Sequence, residues 1–104
     1  MAKIVWSPRA ADNVESICEH ISKDSKRYAQ IFAEKIFETI KSIRENPLAG
    51  RVVPEYMDDK IRERIYKNYR IIYRLKDEVI EIAAIYHGAQ LVEKKEKIFN
   101  PEDS

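Results

Sequence analysis

The residues best equipped for chemistry are arginines, and most of them fall between Ile61 and His87. A guanidinium is permanently charged and forks onto phosphate or carboxylate, so Arg70 is the first candidate for holding an anion. Its competing structural role is an ion pair with Glu63 or Glu81 across strands. Arg62 and Arg64 stand two apart, and Arg74 can extend their patch. Arg51 follows Gly50 in a loop, where a scaffold can present a side chain for binding, or where Glu55 can pair with it. His87 closes the stretch beside Tyr86, and imidazole is the side chain suited to acid–base work near neutral pH. Tyr66, Tyr69 and Tyr73 combine an apolar ring with a polar tip. They fit core packing or base stacking, and Tyr73 joins the arginine patch if it faces the open side. His20 lies far from His87 and no metal-ligand spacing occurs, so no metal and no cofactor are expected. The single cysteine, Cys18, excludes an internal disulfide and stands among apolar neighbours at helical spacing.

These side chains need a sheet to position them. Three runs rich in Ile, Val and Tyr, separated by Lys67-Asn68 and Lys76-Asp77-Glu78, predict an antiparallel meander over Ile61–Tyr66, Tyr69–Leu75 and Val79–Tyr86. Alternation puts Ile61 and Ile65 on one face of the first strand and Arg62, Arg64 and Tyr66 on the other. In the second strand Tyr69, Ile71, Tyr73 and Leu75 alternate with Arg70, Ile72 and Arg74. The third strand is almost continuously apolar, the pattern of a strand covered on both faces.

A cover for the sheet precedes it. Lys3-Ile4-Val5-Trp6 reads as a short strand. Ser7-Pro8 then starts a helix, with the serine as N-cap and the proline in the first helical position. Ala11, Val14, Ile17, Cys18 and Ile21 follow at steps of three and four. Asp24 or Ser25 caps a second helix reaching about Glu45, with an apolar stripe of Tyr28, Phe32, Ile36, Ile40 and Ile43, widened by Ala29 and Phe37. Asn46-Pro47 ends it, because a residue before proline avoids the helical region. The short link makes the helices an antiparallel hairpin. The expected architecture is α+β: a strand, a two-helix hairpin and a three-stranded meander, giving a four-stranded sheet with both helices on one face.

At 104 residues the chain supports one core, expected over residues 1–90, with residues 91–104 as a charged tail in which Leu91–Phe99 can be helical. Hydrophobic residues make up 44% and charged ones 36%, the balance of a compact protein with a charged surface. The net charge is only +1, from 19 basic and 18 acidic residues, which argues against a general polyanion binder but leaves room for a local basic patch. No apolar run approaches the roughly 20 residues of a membrane span and no signal-peptide pattern appears, so a cytosolic protein is expected, without membrane attachment.

In this order the pieces resemble the RelE/ParE superfamily of toxins from type II toxin–antitoxin, or plasmid stabilisation, systems. The resemblance rests on a strand ending in Trp6-Ser7-Pro8, two charged helices, Asn46-Pro47-Leu48-Ala49-Gly50-Arg51 leading to Val53-Pro54-Glu55, then Arg62-Glu63, Tyr69-Arg70-Ile71-Ile72-Tyr73 and Ile85-Tyr86-His87-Gly88. It spans about residues 3–90. The Pro-x-x-Gly-Arg loop, the long hairpin and the His-Gly ending look more like the ParE branch.

That resemblance implies growth inhibition by binding and poisoning DNA gyrase, without chemistry on a substrate. The RelE-like alternative implies a metal-independent endoribonuclease that cuts mRNA on the ribosome. There Arg70 would hold the scissile phosphate and His87 would move the proton of the attacking 2′-hydroxyl or the leaving 5′-oxygen. A third reading keeps the fold as a non-toxic interaction module. In either toxic branch Arg51, Arg62, Arg64, Arg70, Tyr73 and Gln90 are the expected target- or phosphate-binding groups. The chain departs from the family at His87-Gly88-Ala89-Gln90, where an arginine often stands in place of Gln90; the amide keeps hydrogen bonding but loses the charge. The implied partner is a cognate antitoxin, received on the inner edge of the helical hairpin or the sheet's open face. The implied assembly is a homodimer or a heterotetramer with that antitoxin.

Overall fold

Ser7 starts the first helix as its chemistry requires. The structure, a computed structural model, describes residues 2–88, so Gln90 and the expected tail lie outside the described residues. Strand β1 (Lys3–Trp6) leads into α1 (Pro8–Ser22), where the Ser7 hydroxyl accepts the Ala10 N–H at 3.0 Å and Pro8 opens the first turn. Ser25 caps α2 (Lys26–Glu45) in the same way, accepting the Tyr28 N–H at 3.1 Å. Asn46-Pro47 ends α2, and a single 3-10 turn at Pro47–Ala49 leads to β2 (Arg51–Val52). The meander follows as β3 (Ile61–Tyr66), β4 (Tyr69–Lys76) and β5 (Val79–His87).

The sheet runs β1-β5-β4-β3-β2, with β1 parallel to β5 and every other pair antiparallel. It is α+β with both helices on one face, as expected, but it has five strands rather than four. The additional strand is the pair Arg51-Val52, set against Glu63 and Arg62. Two residues between Gly50 and Pro54 are too few for any periodicity, so only tertiary pairing reveals them.

Helix-side packing gathers Phe32, Ile36, Ile40 and Ile43 of α2 over Ile71, Tyr73, Ile80, Ile82 and Ile85. Three residues of the expected stripes are exposed, Ala11, Tyr28 and Phe37, the last with its ring centroid 5.6 Å from that of Trp6. On α1 it is Ala10, not Ala11, that is buried, in phase with Val14, Ile17 and Ile21. On α2 Tyr28 is exposed and Ala29 is buried instead. Both positions fall within three or four residues of Phe32, so spacing cannot choose between them. The small side chain is the one turned toward α1, where Cys18 Sγ lies 3.9 Å from the Ala29 carbonyl.

The far face of the sheet is not bare. The loop after β2 folds across it, and Val53 and Tyr56 pack with Ile61, Ile72, Ala83, Ala84 and Tyr86. Strand β5 is therefore covered on both sides, which explains its unbroken apolar run. A bulge assists: Ile72 pairs with Ala84 but Tyr73 pairs with Ile82, so Ala83 is an extra residue. It lets Ile80, Ile82 and Ile85 all face the helices although they break strict alternation. The edge of β5 beyond β1 is closed by side chains, the Ser7 hydroxyl donating to the Ala83 carbonyl at 2.8 Å and Asn13 Oδ1 accepting the Ile85 N–H at 3.0 Å. The two surfaces expected to receive an antitoxin, the hairpin's inner edge and the open sheet face, are thus largely filled by the chain itself. Among the described residues no helix is long and apolar enough to cross a membrane.

Candidate interaction site

Alternation along β3 and β4 divides the arginines between the two sides of the sheet. Arg70 and Arg74 lie on the loop-covered face with Ile61, Glu63 and Ile72. Arg62 and Arg64 lie opposite Tyr73 and Ile71, on the helix side. One continuous arginine patch is therefore not what the strands build.

Arg70 does not project into solvent; only 9% of it is exposed. Its Nε reaches Glu63 at 2.6 Å, while its two terminal nitrogens fork onto the two oxygens of Glu55 at 2.8 and 3.0 Å. Glu63, 1% exposed, also accepts from Arg51 Nε, and Arg51 is otherwise open to solvent. Two guanidiniums and two carboxylates make a neutral cage between loop and strand. The fork to Glu55 chiefly holds the Arg70 pKa above its ordinary value; burial works against it and Glu63 adds to it. Arg74 pairs across strands with Glu81 at 3.0 Å. Of the pairings the sequence offers, Arg70 takes Glu63 together with Glu55, whereas Glu55 does not serve Arg51 and Glu81 serves Arg74.

On the helix side Arg62 is spent on backbone. Its Nε donates to the Asp59 carbonyl at 2.9 Å, and one terminal nitrogen donates to the carbonyls of Gly50 at 2.9 Å and Leu48 at 3.3 Å. Tyr73 holds the same loop from below. It is fully buried, its hydroxyl donating to the Pro47 carbonyl at 2.6 Å and accepting the Gly50 N–H at 3.1 Å. Burial pushes its phenol up, opposed by the Gly50 N–H and the charges of Arg62 and Arg64. Tyr73 therefore does not join a target-binding face; the phase of β4 turns it under α2, and it anchors the loop. Gly50 is obligatory there, since a Cβ would stand 2.3 Å from the Tyr73 hydroxyl and 2.7 Å from the Glu63 carbonyl oxygen. Arg64 has no hydrogen-bonding or ionic partner among the described residues.

His87 is exposed at the end of β5 and meets the Tyr69 ring edge-on at 5.5 Å between centroids. The register pairs His87 with Tyr69 and Arg70 with Tyr86, so His87 and Arg70 start on opposite strand faces. They nevertheless border one open cleft of about 400 Å³ with Ile65, Lys67 and Asn68. The imidazole and the guanidinium can thus face a common ligand only if Arg70 leaves its carboxylates. Among the described residues no group of His, Cys, Asp and Glu could hold a metal ion.

Leu48 escapes a reading based on charge. It sits at the tip of the clamped loop, 65% exposed. A leucine between Pro47 and Gly50, outside any periodic run, was the one signal available.

Comparison with known proteins agrees with this architecture. The model of a family described as "ParE toxin of type II toxin-antitoxin system, parDE" matches residues 4–92. Toxin RelE2 of Caulobacter vibrioides is 29% identical over 91 residues, covering 88% of this chain and all of that protein. A solved structure titled "Chromosomal ParDE TA system from P. aeruginosa" superposes with a TM-score of 0.70 at 20% identity, over 84% of this chain and 96% of that one, which speaks for the fold. A strand, a helical hairpin and a meander in this order, matched by the family model along most of the chain, place the protein in the ParE toxin family of the RelE/ParE superfamily, the toxin half of a type II toxin–antitoxin system.

Proposed function

We propose that this toxin acts by binding, as an inhibitor of DNA gyrase that its cognate antitoxin silences, and not by cutting RNA. The observation that carries the reading is the state of Arg70. A nuclease of this fold would need that guanidinium for a phosphate, yet here it is buried and committed to Glu55 and Glu63. A phosphate would have to displace two carboxylates from a desolvated site, against charge-assisted bonds that are the strong kind. A protein-binding role makes no such demand, and the match to a ParE family model points the same way.

The RelE-like reading draws its support from the cleft that His87 and Arg70 both border, and from the name of the Caulobacter relative. Sudden induction without antitoxin separates the two readings, with labelled thymidine and labelled amino acid followed in one culture. Early loss of DNA synthesis, together with loss of supercoiling by purified gyrase mixed with the purified chain, is expected. Early loss of translation with DNA synthesis sustained overturns the proposal in favour of the nuclease. If neither falls, the fold serves as a non-toxic module and the replacement at Gln90 is the first change to reverse.

A further inference from the structure

The loop Pro47–Arg51 is held more firmly than its length requires. Tyr73 fixes it at Pro47 and Gly50, Arg62 fixes it at Leu48 and Gly50, and the Cβ-less Gly50 lets the loop sit directly on Glu63. Tyr73 anchors the loop from inside and Arg62 from the half-buried strand face, and what they present outside is an apolar apex, Leu48. Beside it, Arg64 follows Arg62 by two residues, about 7 Å along the same strand face. Of the arginines on β3 and β4, Arg64 is the one without a hydrogen-bonding or ionic partner among the described residues. Strand β2 ends its pairing at Glu63, so β3 from Arg64 onward is an unpaired edge among the described residues, and Ile65 there is 52% exposed.

We infer that Leu48 and Arg64, set on this clamped loop and free strand edge, form the surface that docks the toxin's protein target, inserting Leu48 into an apolar pocket rimmed by carboxylates. Preorganisation is the argument for a recognition role, because a loop backbone fixed before binding gives up little entropy on binding. Projection is the argument for a folded target. A side chain that stands out needs a pocket in its partner, whereas an extended wrapping chain needs a recess on the toxin. Charge selects the rim. Arg51, Arg70 and Arg74 are already paired with carboxylates, so the edge offers too few open cations for a phosphate chain.

This inference rests on the reading of the protein as a toxin that works by binding, and its test separates the two. Leu48→Glu changes an exposed position and Arg64→Glu a half-buried one, and both are checked by thermal melting. Tyr28→Glu, exposed in the first turn of α2 where an acid suits the helix, serves as the control. Each is induced without antitoxin, and each purified chain is titrated against gyrase holoenzyme and against the cognate antitoxin. The expected result is a loss of potency of about tenfold or more for both edge variants, the scale of a contact at the centre of an interface, with melting and antitoxin affinity kept and the control unchanged. Folded variants that arrest growth like the parent overturn the inference and leave the gyrase reading standing. If the parent arrests growth without affecting gyrase while the variants do not arrest it, the edge stands as the docking surface and gyrase is the wrong target. Variants that stay toxic but escape the antitoxin show that the antitoxin occupies the edge, which overturns the assignment. A parent that neither arrests growth nor binds gyrase removes both.

Discussion

Arg70 and Glu55 meet in a two-bond fork, 2.8 and 3.0 Å, that ties the loop after β2 to the middle of the sheet. Glu63 completes the cage from the neighbouring strand, so one guanidinium closes a layer that would otherwise expose Ile72 and Ala84. Such a cage costs desolvation on every member and is retained only if all members stay paired.

Removing one member should therefore be expensive. Arg70→Ala leaves the buried Glu63 with Arg51 alone, and a loss of about 3–5 kcal/mol is expected, whereas the partly exposed Glu55→Gln should lose about 1–2 kcal/mol. Urea denaturation measures both. Equal, small losses would mean that the cage is slack. The consequence for function is practical: reduced toxicity in Arg70→Ala has to be read beside its stability.

Tyr73 gives a prediction with a pH signature. Tyr73→Phe deletes the bonds to Pro47 and Gly50 and leaves the buried Gly50 N–H and the half-buried Pro47 carbonyl short of a partner, so a loss of about 1–3 kcal/mol is expected. The phenol pKa is raised in the folded state above its ordinary 10.0. The neutral form is thus favoured by folding. Its contribution is complete below the ordinary value and disappears as pH climbs through the raised folded value. The stability gap between parent and Tyr73→Phe should be constant near neutrality and narrow in strong alkali. A gap that stays constant there would place the hydroxyl outside the clamp.

Gly50→Ala tests the close approach that the clamp depends on. Its Cβ would collide with the Tyr73 hydroxyl and with the Glu63 backbone, and Tyr73 has no free volume to retreat into. Overpacking of this kind costs about 1–3 kcal/mol and should displace the loop, lowering toxicity along with stability. Normal melting and normal toxicity together would show that the loop tolerates movement.

The meander was legible because its runs of Ile, Val and Tyr are long and its breaks are two or three residues, and Ser7-Pro8 carried its own helix signal, whereas Asp24 and Ser25 suited the second cap equally. Pairing partners were not. Which carboxylate meets Arg70 depends on how the Val53–Lys60 loop crosses the sheet, and nothing local in Val53-Pro54-Glu55 states that path. Tyr73 was ambiguous for a related reason: alternation assigns a residue to a face, but only packing says which face the helices take. Leu48 carries little signal in the sequence because exposed apolar side chains are ordinary singly, and its meaning arises from the anchors beneath it.

His87 provides the last test, because it separates chemistry from contact with little structural cost. It is exposed and leans edge-on against Tyr69, so His87→Ala should shift stability by no more than about 1 kcal/mol. If toxicity arises from binding through the loop and edge strand, growth arrest after induction should persist near the parental level. An endoribonuclease using the imidazole as acid or base would instead lose about a hundredfold or more in rate, and arrest with it. Parental melting combined with abolished toxicity would transfer the working site from the β3 edge to the cleft between Arg70 and His87. Retained toxicity leaves that cleft without a required proton carrier and is the outcome that binding through the Leu48 loop and the β3 edge demands.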